Sequence, residues 1–221
     1  DFLGVSVIGN QLATFNRNNH IITLKEQNNK LVNAADIALN DNITQLYNAN
    51  GKLLALTENQ FDNNGSISPF KGLCVTTSSE KNTFWVGGLY SFSKYKNGSE
   101  VFNSIQIDFQ ERVNCIVEVT TDNLWLGTLD GLYHFVDGNI TRMPGTEAKS
   151  INAISLKNSK IYIGTQGSGV GIIDGSENNQ ITWITETEGL SSNFTNCFLQ
   201  LNGNLIIGGK SGLNVLRKNG S

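Results

Sequence analysis

The chain has little of what usually punctuates, staples or charges a fold. Of its 221 residues only two are proline, Pro69 and Pro144, and only two are histidine, His20 and His134. Three cysteines, Cys74, Cys115 and Cys197, stand far apart with no paired spacing, which argues against a structural zinc site. No apolar run reaches the roughly 18 residues of a membrane-spanning helix. Sixteen basic and nineteen acidic residues leave a net charge of −3 with no basic stripe, which argues against a nucleic-acid partner. No signal peptide opens at Asp1, so the numbering is expected to begin after processing or at a cloning boundary.

What the chain has in excess is turn formers: 23 glycines and 30 asparagines. Both tolerate left-handed backbone and supply hairpin turns, so many short strands are expected. The strands carry a repeat. Its copies are Phe84-Trp85-Val86-Gly87-Gly88-Leu89, Leu124-Trp125-Leu126-Gly127-Thr128 with Asp130-Gly131-Leu132, Ile161-Tyr162-Ile163-Gly164-Thr165, and Leu205-Ile206-Ile207-Gly208-Gly209 with Ser211-Gly212-Leu213. The second positions fall at 85, 125, 162 and 206, so the spacings are 40, 37 and 44. A period near forty filled only by strand-like segments predicts an all-β fold, a β-propeller of four-stranded antiparallel blades.

Six blades are expected, at about 1–40, 41–68, 69–111, 112–147, 148–190 and 191–221, in one propeller or propeller fragment. The fourth is the most regular, with strands at Val113–Val119, Leu124–Gly127, Gly131–Val136 and Asn139–Met143 and a hairpin at Asp137-Gly138. The fifth repeats it, turning at Asp174-Gly175; the third turns at Asn97-Gly98, and the second at Asn50-Gly51. The sixth stops after its third strand, Leu213–Leu216, and the outer half of the second, Glu58–Ser68, is degenerate. For the first blade two frames stand open: Leu3–Ile8 as the inner strand, or Gly4–Ile8 as a second strand whose inner strand lies upstream. The chain is then either a six-bladed ring or part of a larger propeller, because a blade face left uncovered exposes apolar surface.

The cysteines precede the marker positions by 11, 10 and 9 residues. That shared register predicts three buried, unpaired thiols at equivalent inner-strand positions. Trp85 and Trp125, inside second strands, are expected to pack between blades rather than to stack on a ligand.

The stretch Asp122-Asn123-Leu124-Trp125-Leu126-Gly127-Thr128-Leu129-Asp130-Gly131-Leu132-Tyr133-His134-Phe135 resembles the repeat of the two-component regulator propeller family, and Gly189-Leu190-Ser191-Ser192-Asn193 is similar to that family's entry into an inner strand. The resemblance covers about two thirds of the chain, from residue 69 onward. It implies the sensor region of a hybrid two-component system, placed in the periplasm or outside the cell and responding in many members to glycans. It also implies that the chain is at most one part of such a sensor, with self-association or the remainder of a larger sensor as its protein contacts.

In a propeller the entries to the inner strands and the loops between second and third strands share one face, where ligands bind. Here the loops offer Thr128 and Asp130, then Thr165, Gln166 and Ser168, then Lys210 and Ser211; the entries offer Arg112, Asn114, Asn152 and Asn193. Hydroxyls, amides and mixed charges suit a polar small molecule or an oligosaccharide. The competing reading is that these are turn formers on a solvated rim. Gly167-Ser168-Gly169-Val170-Gly171 lies between strands with no following helix, so it makes a poor phosphate loop. No nucleophile sits beside a base in the sequence, and no catalytic residue, metal or cofactor is expected. A propeller can still bring distant acids such as Asp130 and Glu188 together, which keeps a polysaccharide hydrolase or lyase as an alternative, beside a protein-binding scaffold.

Overall fold

The computed structural model describes residues 2–40, 42–49, 52–57, 61–63, 66–68, 72–81, 83–96, 111–174 and 180–217. The turns expected at Asn50-Gly51 and Asn97-Gly98, the second residue of Asp174-Gly175 and the outer strand expected before Gln110 lie outside these residues. The described chain is all-β and antiparallel, with one short 3-10 turn, Glu186–Glu188. It divides into two compact units, 1–107 and 108–221, each holding three sheets.

In the first unit, β1 (Phe2–Ile8), β2 (Gln11–Asn16), β3 (His20–Gln27) and β4 (Lys30–Ala38) form a meander in chain order. Four strands therefore pair in chain order within residues 2–38. The second sheet orders β5 (Ile43–Ala49), β6 (Lys52–Thr57), β7 (Phe61–Asn63) and β8 (Ser66–Ser68). Its two short outer strands match the degenerate composition there. The third joins β9 (Cys74–Thr77), β10 (Thr83–Gly87) and β11 (Phe92–Lys96). Ala13, Phe15 and Ile21 of the first sheet pack on Ile43, Leu46 and Ala55 of the second. Leu56 then packs on Val75, Phe84, Val86 and Tyr95 of the third. Trp85 is fully buried, tilted against Phe92 with ring centres 5.6 Å apart.

The second unit is the more regular. Its sheets are β12 (Val113–Thr120), β13 (Asn123–Thr128), β14 (Gly131–Val136) and β15 (Asn139–Arg142); β16 (Ile151–Lys157), β17 (Lys160–Thr165), β18 (Val170–Asp174) and β19 (Ile181–Ile184); and β20 (Thr195–Leu201), β21 (Asn204–Gly209) and β22 (Gly212–Leu216). Three of its two-residue hairpins, Asp137-Gly138, Asn158-Ser159 and Asn202-Gly203, have φ between 50° and 78° at both positions. Paired positive φ values match the right-handed twist of the flanking strands, and this is where the asparagine and glycine excess is spent. Each inner strand carries the same irregularity: the ladder slips at Asn114, at Asn152 and at Asn196, one residue into the strand. A bulge there re-aims the strand end without disturbing the register beyond it.

The repeat becomes intelligible as layered packing. On β13, Trp125 faces forward and meets Ile151, Ile161, Ile163 and Ile173 of the following sheet. On β17, Tyr162 faces forward onto Leu205 and Ile207 of the next. The motif glycine serves the same contact: a Cβ on Gly127 would stand 2.8 Å from Ile151 Cγ2, so only glycine lets the next inner strand approach. β13 and β17 are therefore buried on both sides and read as unbroken apolar runs, as strands covered on both faces do.

The cysteine expectation needs correction. The registers are indeed equivalent: Cys74, Cys115 and Cys197 lie opposite Gly87, Gly127 and Gly208, the motif glycines. None of the three is joined in a disulfide, but only Cys74 is buried; Cys115 is half-buried and Cys197 exposed. Burial here is conferred by the sheet lying on the strand. Cys115 has Ile151 over it, whereas Cys197 belongs to a sheet whose forward face is open to solvent.

Candidate functional site

All of the predicted site residues lie in the second unit, at the end of its sheets where inner strands begin and second strands finish. Val113, Ile151 and Thr195, the first residues of β12, β16 and β20, pair with Thr128, Thr165 and Gly209, the last of β13, β17 and β21. Each entry is thereby set beside its own loop.

Several predicted residues are spent on the loops themselves. Thr128 Oγ1 donates to Gly131 O (2.9 Å) and accepts from Asp130 N (3.1 Å); Thr165 Oγ1 donates to Gly169 O (2.8 Å) and accepts from Ser168 N (2.8 Å). Both threonines are buried turn locks. Asp130 accepts from Arg142 Nη1 at 2.6 Å and from Ala148 N at 2.8 Å, which ties the loop to the strand end of β15. Asn114 Nδ2 donates to Ile151 O at 3.1 Å, bridging two sheets at the bulge. Asn193 accepts from Glu186 N (2.8 Å), and its own N donates to Glu186 Oε1 (2.9 Å). Asn152 Oδ1 lies 3.5 Å from Ser150 Oγ.

The others gather around one aromatic ring. Gln166 pairs with Phe194 across the sheet gap, and Gly167 N and Gly169 N both donate to Asn193 O. Lys210 N donates to Phe194 O, and Lys210 Nζ sits 5.3 Å from the centre of the Phe194 ring. Gln166, Asn193 and Lys210 are therefore brought together beside Phe194, which is 39% exposed, and Ser168 lies on the loop that follows Gln166. Ser211 follows Lys210 on the exposed tip, and Arg112 is exposed at the entry to β12. Asp130 belongs to a separate cluster with Arg142 and Ala148.

Phe194 is the residue that sequence reasoning passed over. It occupies the entry position held by Arg112 and Ser150 in the two preceding sheets, and an aromatic at a rim position otherwise polar is the signal that marks it. A half-exposed ring beside an amide and an ammonium can take the apolar face of a polar molecule while the amide and ammonium bind its hydroxyls or charges.

The two acids are poorly placed for acid–base chemistry. Glu188 accepts from Thr185 N at 2.8 Å and from Thr185 Oγ1 at 2.7 Å, closing a capping box on the 3-10 turn. These bonds hold its carboxyl below the ordinary carboxylate range, the opposite of what a general acid needs. The imidazoles are engaged elsewhere: His20 Nδ1 lies 2.7 Å from Asp36, and His134 stacks on Trp125 at 4.3 Å with Nε2 on Asn123. Partial burial pushes the His134 pKa down. Among the described residues no three His, Cys, Asp or Glu side chains converge as metal ligands would, and no helix is long and apolar enough to cross a membrane.

No protein-family model and no curated protein matches the chain. Solved structures do. The chain is similar to the extracellular domain of a protein from B. thetaiotaomicron described as a hybrid two-component system, with a TM-score of 0.78 at 15% identity over 97% of this chain and 32% of that one. A second structure of that domain, described as part of a one-component system, matches to the same degree. A computationally designed protein, Ika8, matches with a TM-score of 0.71 at 12% identity over 98% of this chain and 71% of that one. At such identities the likeness is one of fold, and the chain spans about a third of the extracellular domain it matches.

Proposed function

We propose that the chain is a propeller segment of an extracytoplasmic sensor, and that it binds a polar ligand, a glycan foremost, at the Phe194 patch without turning it over. The observation that carries this reading is the fold match along nearly the whole chain to the extracellular domain of a hybrid two-component system. The chemistry of the rim supports it. The patch offers amide, hydroxyl, ammonium and ring. Of the two acids on this rim, Glu188 is tied up in a cap and Asp130 in an ion pair. Binding would bias the packing of this segment against the rest of the receptor, which is how a ligand shifts a signalling equilibrium.

Calorimetry with a panel of neutral and acidic oligosaccharides, followed by product analysis, tests the proposal. The expected result is saturable binding, weakened at least about tenfold by the double variant Gln166→Ala, Lys210→Ala, with the glycan recovered intact. Depolymerised glycan whose formation is lost in Glu188→Gln would replace the sensor reading with a polysaccharide-cleaving enzyme.

A further inference from the structure

At the rim of the second unit each entry residue stands beside a loop residue of its own sheet. The pairs are Arg112 with Leu129, Ser150 with Gln166 and Phe194 with Lys210, each one step beyond the end of its ladder. The last two pairs are joined into a single row. Gln166 N donates to Ser150 O at 2.9 Å, Gln166 bridges to Phe194, and Lys210 N donates to Phe194 O at 3.1 Å. Four chain segments therefore run side by side across the junction of the fifth and sixth sheets, at about the 5 Å spacing of neighbouring strands.

The Phe194 ring reaches back to the loop of the fifth sheet, where a Cβ on Gly167 would stand 3.7 Å from Phe194 Cζ. Lys210 Nζ lies 5.3 Å from the centre of that ring. Ring and ammonium thus sit at a junction with a described sheet on each side of it, not on an uncovered sheet face. Among the described residues Lys210 has no ion-pair partner, and the Gln166 side chain has no hydrogen-bond partner. The carboxylates on the segment leading to Phe194 are already engaged: Glu186 Oε1 accepts from Asn193 N, and Glu188 accepts from Thr185 N and Oγ1. Neither is bonded to the ammonium, whose three donors stay available.

We infer, resting on the reading of the Phe194 patch as the ligand site, that its ligand is an acidic oligosaccharide. An anionic sugar lies at Phe194 and Lys210, and the next sugar lies along the row at Gln166 and Ser150. The C–H face of the first sugar covers the aromatic ring, and the carboxylate or sulfate it carries takes a charge-assisted hydrogen bond from Lys210 Nζ. A neutral sugar in the same place strips water from the ammonium and returns only a hydroxyl, so charge is what the site selects.

Calorimetry on the whole chain tests this with uronate trisaccharides, each beside its own methyl ester, which keeps the sugar and removes the charge. A sulfated trisaccharide beside its unsulfated parent forms the second arm, and the acid that loses more affinity in Lys210→Gln names the anion. Phe194 and Lys210 are exposed, and an unchanged thermal midpoint confirms that their variants fold. The acid is expected to bind at least about tenfold more tightly than its neutral counterpart, with the preference shrinking as salt is added. Lys210→Gln should bring the two within about twofold of each other, while Phe194→Ala should weaken both. Neutral ligands that bind as tightly as the acids, and still need Phe194, overturn the inference and leave the site standing. An acid preference that survives Lys210→Gln overturns it by placing the anion elsewhere. No binding by any of these ligands, or binding indifferent to Phe194→Ala, removes the site itself and the inference with it.

Discussion

The fourth and sixth sheets are written in nearly the same letters and sit in different surroundings. Both have a bulged inner strand, a cysteine opposite the motif glycine and a bulky second-strand marker, Trp125 in one and Ile206 in the other. Among the described residues the fourth has a following sheet packed on it and the sixth has none. Trp125 is accordingly 6% exposed beneath four isoleucines, while Ile206 is half-buried among exposed neighbours. The difference teaches that in this architecture a strand's pattern states which face is meant to be covered, and only the neighbouring layer decides whether it is.

The largest way to break that comparison is to delete the markers. Trp125→Ala should cost about 3–5 kcal/mol, since a buried aromatic leaves a cavity that two packed sheets cannot close. Ile206→Ala should cost only about 1–2 kcal/mol, because much of its surface already meets water. Denaturant midpoints, measured at dilution, report both; equal losses would mean that cover makes no difference.

The same contrast holds at the motif glycines, with a smaller effect. Gly127→Ala pushes a methyl group against Ile151 and the trapped Cys115 side chain, at a cost of about 1–3 kcal/mol. Gly208→Ala meets Cys197 Sγ at 2.6 Å, but that thiol lies on an open face and can rotate away. Its cost should fall below about 1 kcal/mol, and a thermal shift as large as that of Gly127→Ala would contradict the packing described for the two faces.

Smaller still is a gain. Thr195 is fully buried, and its Oγ1 is without a hydrogen-bond partner, where the equivalent positions hold Val113 and Ile151. Thr195→Val removes a hydroxyl that lost its water on folding, so stability should rise by about 1 kcal/mol. An unchanged or lower midpoint would show that the hydroxyl is satisfied.

Much of this was legible in the sequence, for particular reasons. The strands of the fourth sheet fall within about one residue of their expected ends because Asp137-Gly138 and the alternation around Trp125 encode local geometry, and local geometry is what a sequence states most directly. Cys197 was misjudged because its burial depends on a layer contributed from elsewhere, and no pattern within β20 records whether that layer is present. The rim was half legible. Polar types at the loops were visible, but Thr128, Asp130 and Asn193 turned out to hold the turns together, since the residues that fix loop geometry are the same types that bind polar ligands. Phe194 was missed because one aromatic among strand residues looks like core until its neighbours in space are known.

Thiol reactivity tests the layered packing most directly, since the three cysteines are internal copies of one position. On native, unliganded chain diluted until only single chains remain, Cys197 should label fast, Cys115 many times more slowly and Cys74 slowest, with all three labelling alike after denaturation. Equal protection of Cys197 and Cys115 under those conditions would contradict it, because the two share one register and only Cys115 has a described sheet lying over it.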